Sequence, residues 1–159
     1  MARALIVGCG CRGRELGERL VAEGWAVRGT SRREEGLEAI ETAGIEPALA
    51  DPDRPGTILE LVGDVTVLVL LFGGFGGSDE ELAAIHGPRL ERLLEHLVET
   101  PVRGVVYEGT EEGEEIVRAA GRIWRIPVRA SSKLSQSPAA GDADRLAEEV
   151  RRVLSGRRT

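Results

Sequence analysis

Aromatic residues are scarce in this chain: 3 % of 159 positions, with one tyrosine, two phenylalanines and two tryptophans. Any core must therefore be built from Leu, Val, Ile and Ala. Lysine is almost missing. Twenty of the 21 basic residues are arginine, Lys133 being the exception, and 27 acidic residues bring the net charge to −6. That balance argues against a general nucleic-acid binder, which needs a basic surface. No apolar run approaches the roughly 18–20 residues needed to cross a bilayer, so no membrane partner is expected. The opening MARALIVGCGC reaches glycines before a secretory leader could form, and reads as the start of an unprocessed cytoplasmic protein. Cysteine is limited to Cys9 and Cys11, too close in sequence for an unstrained bridge. With His86 and His96 far along the chain they make a poor zinc set, and no metal site is expected. Both cysteines read as small side chains in a tight loop.

What is present is a regular alternation of short β-branched runs and amphipathic stretches. Strands are expected at residues 2–7, 25–29, 45–50, 65–71, 102–107 and 123–129. Helices are expected at 13–23, 34–43, 55–62, 111–120 and 143–154, and from Ser78 to Leu97 with a kink or break at Pro88. Gly44 stands where a helix C-terminal glycine belongs, and Pro55 opens a first turn that tolerates a missing N–H. Ser78 and Glu81 have the spacing of a capping box. Residues 65–71 are the most apolar stretch and should form a central parallel strand covered on both faces. This alternation predicts βαβ units and one domain over residues 1–159. The fold class is a doubly wound α/β three-layer sandwich with strand order 3-2-1-4-5-6. Residues 131–141, rich in Ser, Ala and Gly, read as a loop.

Gly8-Cys9-Gly10-Cys11-Arg12-Gly13 matches G-x-G-x-x-G between the first strand and the first helix. In that context Gly8 allows the tight turn, Gly10 lets a pyrophosphate approach the backbone, and Gly13 lets helix and strand pack closely. The phosphates would rest on the N–H groups at the helix start, so Cys11 and Arg12 join the candidate cofactor residues. At the end of the second strand an NAD site usually has a carboxylate for the ribose 2′-OH. This chain has Thr30-Ser31-Arg32-Arg33 instead. Hydroxyls followed by guanidinium groups suit a 2′-phosphate, which favours NADP(H) over NAD.

The run LIVGCGCRGRELGERLVAEGWAVRGTSR resembles the opening of the atypical and extended short-chain dehydrogenase/reductases, the NAD(P)-dependent epimerase/dehydratase-like proteins. The likeness continues through the third strand to Asp51, the glycines after strand four, and RGVVYEGT. It implies that Asp51 contacts the adenine and that Phe72, Gly73 and Gly74 line the cofactor. It does not supply a catalytic centre. The family's Tyr-x-x-x-Lys pair is missing: Tyr107 is followed four positions later by Glu111, and Lys133 lies 26 residues away. Glu108-Gly109-Thr110 replaces the serine usual after strand five. Family members also run about a hundred residues longer, which builds their substrate pocket. Here such a cavity would have to come from residues 131–141 or from a second copy in a homo-oligomer. The catalytic residues are therefore unassigned and the substrate unknown. Tyr107 reads as core, Lys133 as a loop lysine, and His86 and His96 as surface or partly buried residues. Three functions compete: an NAD(P)-binding oxidoreductase or epimerase, a regulatory nucleotide-sensing module, and a structural protein that has lost its ligand.

Overall fold

A computed structural model describes residues 2–73, 77–132 and 142–155. Six parallel strands form one sheet: β1 (Arg3–Val7), β2 (Ala26–Ser31), β3 (Glu46–Leu49), β4 (Val67–Leu71), β5 (Gly104–Glu108) and β6 (Val128–Ser131). Their order is β3-β2-β1-β4-β5-β6, the doubly wound arrangement expected from the alternation. Among the described residues seven α-helices connect and cover them: α1 (Cys11–Ala22), α2 (Leu37–Thr42), α3 (Pro55–Leu59), α4 (Asp79–His86), α5 (Pro88–His96), α6 (Glu111–Trp124) and α7 (Asp142–Ser155).

The period of two in the strands divides the core into two layers. Leu68 and Leu70 of β4 face a cluster with Leu5, Val7, Ile58, Leu90, Leu94 and Val105. Val67, Val69 and Leu71 face the other side, with Ile6, Leu16, Leu20, Ile40 and Val150. A strand apolar on both sides fits only inside a parallel sheet with helices on each face. Pro88 does interrupt the fourth helical segment: α4 ends at His86, and α5 restarts with the proline in its first turn. Ser78 Oγ accepts the Glu81 N–H at 3.1 Å, half of the capping box read from the sequence.

Two expectations are corrected. The sixth strand begins at Val128, not at residue 123. Ile123 and Trp124 close α6 as exposed residues, and Arg125 stops the helix in the left-handed conformation at φ 56°. Their branched and aromatic side chains mimic a strand in sequence, but the amphipathic face of α6 carries the helix through them. His86 is not a surface residue either. It is 6 % exposed, and Nδ1 lies 2.9 Å from the Tyr107 hydroxyl, which also accepts the Thr110 N–H at 3.0 Å. Phe72 meets both rings edge-on, at centroid distances of 5.9 and 5.8 Å. Gly109 and Gly113 clear the space around that hydroxyl, for a Cβ at either would run into it. Tyr107 is core, as expected, with its polar end satisfied by neighbours that sequence spacing does not reveal. His96 is exposed.

Tyr107→Phe leaves His86 and the Thr110 amide short of a partner, and should lower stability by about 1–3 kcal/mol in urea unfolding without changing the far-ultraviolet spectrum. Burial holds His86 below its ordinary pKa of 6.5, outweighing the opposing field of Glu112. The unfolded chain then binds this proton more readily than the folded one. The His86 contribution to stability is complete above pH 6.5 and is lost as pH falls from there towards the folded value. His86→Asn should flatten that part of the stability–pH curve, measured above the carboxylate range.

Candidate functional site

At the C-terminal end of the sheet, chain reversal between β1 and β4 opens a cleft of about 1050 Å³. Residues 8–14, 30–33, 35–36 and 50–52 line it, with Leu71, Gly77 and Glu81. Most of the sequence-derived site residues meet here: Gly8, Gly10, Cys11, Arg12, Gly13, Thr30, Ser31, Arg32, Arg33 and Asp51. Phe72 and Gly73 are not among the lining residues, and the Phe72 ring is buried in the core instead. Gly74 and Lys133 lie outside the described residues.

The glycine turn has the geometry its spacing requires. Gly8 adopts φ 85°, a conformation that disfavours any side chain, and its carbonyl accepts the Gly10 N–H at 2.9 Å. A Cβ on Gly10 would meet nothing within 4 Å, so this stretch of backbone faces open space. A Cβ on Gly13 would lie 3.2 Å from the Gly8 carbonyl and from Ile6, so this glycine lets α1 sit against β1. Gly10 is also the cap residue of α1 and has no side chain to satisfy the first helical amides. Those amides and the positive end of the helix dipole suit an anion laid over Gly10.

The two cysteines divide as their positions dictate. Cys9 is buried, and its sulfur fills the gap between α1 and β2, 2.6 Å from where a Cβ on Gly29 would sit. Burial pushes this thiol up to about 12, so it stays protonated and unreactive at neutral pH. Cys11 is exposed on the first turn of α1.

At the other side of the cleft, the Cys9 N–H donates to the Thr30 carbonyl at 3.1 Å and ties the glycine turn to the end of β2. The Ser31 hydroxyl donates to the Arg33 carbonyl at 2.7 Å and accepts the Arg33 N–H at 3.1 Å. It therefore shapes the turn that presents Arg32 and Arg33. Arg32 Nε lies 3.3 Å from Asp51 Oδ1, joining the ends of β2 and β3. No carboxylate occupies residues 30–33 themselves.

Sequence reasoning missed several members of this end of the molecule. Arg14, Glu35 and Glu81 also line the cleft, none of them having been read as a site residue. Arg12, read from the sequence as a candidate cofactor residue, has partners that reading did not foresee: Glu108 and Asp142, at 2.7 Å each. Hydrogen bonding to Asp142 raises the Arg12 pKa above its ordinary value, so the guanidinium stays charged. Burial alone would push the Asp142 carboxyl up, but hydrogen bonds from Arg12 and Arg145 outweigh it and hold this group below its ordinary value. The only sequence signal for this cluster is an acid at the end of an otherwise apolar strand.

No family model matches the chain, and no curated protein matches it by sequence. Solved structures do share its fold. UDP-glucuronic acid 4-epimerase from Bacillus cereus, in complex with NAD, aligns with TM-score 0.65 at 14 % identity, over 80 % of this chain and 55 % of its own. Triphenylmethane reductase from Citrobacter sp., complexed with NADP(H), gives 0.64 at 19 % identity, over 82 % and 48 %. Yeast methylglyoxal/isovaleraldehyde reductase, complexed with NADPH, gives 0.66 at 11 % identity, over 82 % and 54 %. The chain spans about half the length of these proteins. These three are an epimerase and two reductases, each complexed with NAD, NADP(H) or NADPH, and the chain shares their fold.

Proposed function

We propose that this chain is a nicotinamide-dinucleotide-binding domain with a preference for NADP(H). One observation carries the reading: an unobstructed glycine turn at Gly10 shares a cleft with Arg32 and Arg33 at the end of β2, where residues 30–33 include no carboxylate and the nearby Asp51 is paired with Arg32. The α1 amides would hold the pyrophosphate, and Gly8 and Gly13 keep that backbone in place. Arg32, with Arg33 beside it, would grip a 2′-phosphate, while Asp51 holds the Arg32 guanidinium at the cleft mouth. When bound, such a cofactor supplies hydride chemistry.

Tyrosine, the usual acid/base for such chemistry, is not placed to serve it here. Tyr107, the only tyrosine, is 1 % exposed and bonded within the core. Its hydroxyl is held above its ordinary pKa by burial and cannot reach the cleft as an acid/base. The reading is therefore nucleotide binding without efficient turnover by this chain alone. A regulatory nucleotide-sensing module is the second reading, favoured by the same burial of Tyr107.

Calorimetry should show NADP(H) binding more tightly than NAD(H). Arg32→Ala should narrow that gap by about 1–3 kcal/mol, the range for losing a charge-assisted bond and leaving its partner exposed to a like charge. Equal affinities in the parent chain would refute the preference. General acid/base help is typically worth about 10²–10⁴-fold, so NADPH oxidation with aldehydes, ketones or nucleotide sugars should be slow at best. Rapid turnover abolished by both Gly10→Val and Lys133→Ala would instead reveal a relocated active site.

A further inference from the structure

The helix that precedes Pro88 is held to the molecule by very little. Of the eight residues of α4, only the last two, Ile85 and His86, are buried; Leu82 and Ala84 are half-buried and the rest exposed. The helix packs mainly on α5 rather than on a strand. Isolated helices shorter than about 12–15 residues are marginal in water, so α4 depends on those two buried side chains. Its junction with α5 is a hinge. The Gly87 N–H reaches the Ala84 carbonyl only at 3.4 Å, and Pro88 has no N–H to carry the helical ladder across. α4 can therefore leave without unwinding α5.

The two ends of α4 do different things. Its start belongs to the cleft: Gly77 and Glu81 line it, and a Cβ on Gly77 would lie 3.1 Å from Glu81 Oε2, so this side chain folds back over the turn. Its end is tied to the sheet by His86, whose ring meets Phe72, just after β4, and Tyr107 of β5. Among the described residues the charged group acting on this imidazole is Glu112 of α6, and the hinge residues Gly87 and Pro88 bring none. Glu112 favours a charged ring, but burial disfavours it more strongly.

We propose that α4 is a hinged wall of the cleft, docked while His86 is neutral and released when His86 takes up a proton. On release the imidazole stands in water with its ordinary pKa of 6.5, whereas burial holds it lower in the docked form. The docked form is therefore favoured in full above pH 6.5 and loses ground as pH falls from there towards the docked value. Acid opens the cleft on the α4 side and leaves the glycine turn and the end of β2 in place. The device acts on the cleft whatever ligand occupies it, so it stands apart from the NADP(H) reading.

The experiment is amide hydrogen exchange on the whole ligand-free chain, followed by NMR and corrected for the intrinsic effect of pH on exchange. Protection of residues 82–86 should fall by about three- to tenfold between about pH 7.5 and about pH 5.5, while β1, β4 and β5 keep theirs. The fall should vanish in His86→Asn, whose side chain does not titrate. Should His86→Asn not fold, Glu112→Gln takes its place: without the opposing carboxylate the fall should be at least as steep as in the parent chain. Four results overturn the proposal: protection of α4 that is absent or changes by less than about twofold, a loss shared equally by the strands, a fall that persists in His86→Asn, or a shallower fall in Glu112→Gln.

Discussion

Burial of the central strands on both faces is the constraint from which the rest of this structure follows. β1, β4 and β5 carry side chains into two apolar layers, and only at the strand ends can polar groups emerge without a desolvation penalty. Several candidate site residues among those described accordingly gather at one end of the sheet: Gly8 after β1, Thr30 to Arg33 around the end of β2 and Asp51 after β3, with Glu108 buried at the end of β5. The exceptions prove informative. His86 and Tyr107 are polar groups inside a layer, and each is accepted there because it supplies the other with a partner.

The scarcity of large side chains shapes how the layers close. Where α1 crosses β1 and β2, Gly13, Cys9 and Gly29 leave just enough room for one sulfur. That close approach brings the start of α1 over the end of β1 and aims its amides at the cleft. Around Tyr107, Gly109 and Gly113 do the converse, leaving space for one large ring in a core of aliphatic residues. Small residues fix the backbone geometry in both places, at the cleft and in the core behind it.

Charge is distributed by the same logic. Arginine dominates the basic residues, and its planar fork can engage two carboxylates at once. Arg12 and Arg145 do so at the end of β5, and this converts what would be isolated buried acids into a connected ring. At the end of β2, Arg32 faces a partly exposed Asp51 at the cleft mouth, a looser pair in contact with solvent. One arrangement is a buried charge cluster at the end of β5, the other a partly exposed pair lining the cleft.

Much of this was legible in the residues. The apolar run ending at Leu71, the G-x-G-x-x-G after the first strand and the alternation of elements specify a parallel sheet and its order, because periodicity and turn chemistry are local properties. The lining of the cleft around the glycine turn and the end of β2 was legible for the same reason, since Gly8, Gly10, Gly13 and Arg32 belong to two contiguous stretches. What the sequence could not show are contacts between distant segments. The sixth strand was misplaced because Ile123 and Trp124 look like strand residues until the rest of α6 is seen to carry them. His86 meets Tyr107 across 21 residues and Arg12 meets Asp142 across 130. Such pairs form only when chain reversal brings two elements together, and their energetics depend on burial that no local pattern encodes. The sequence by itself determined which fold and which turn; the tertiary structure decided which charges are buried and which partners they meet, because both depend on contacts between distant segments.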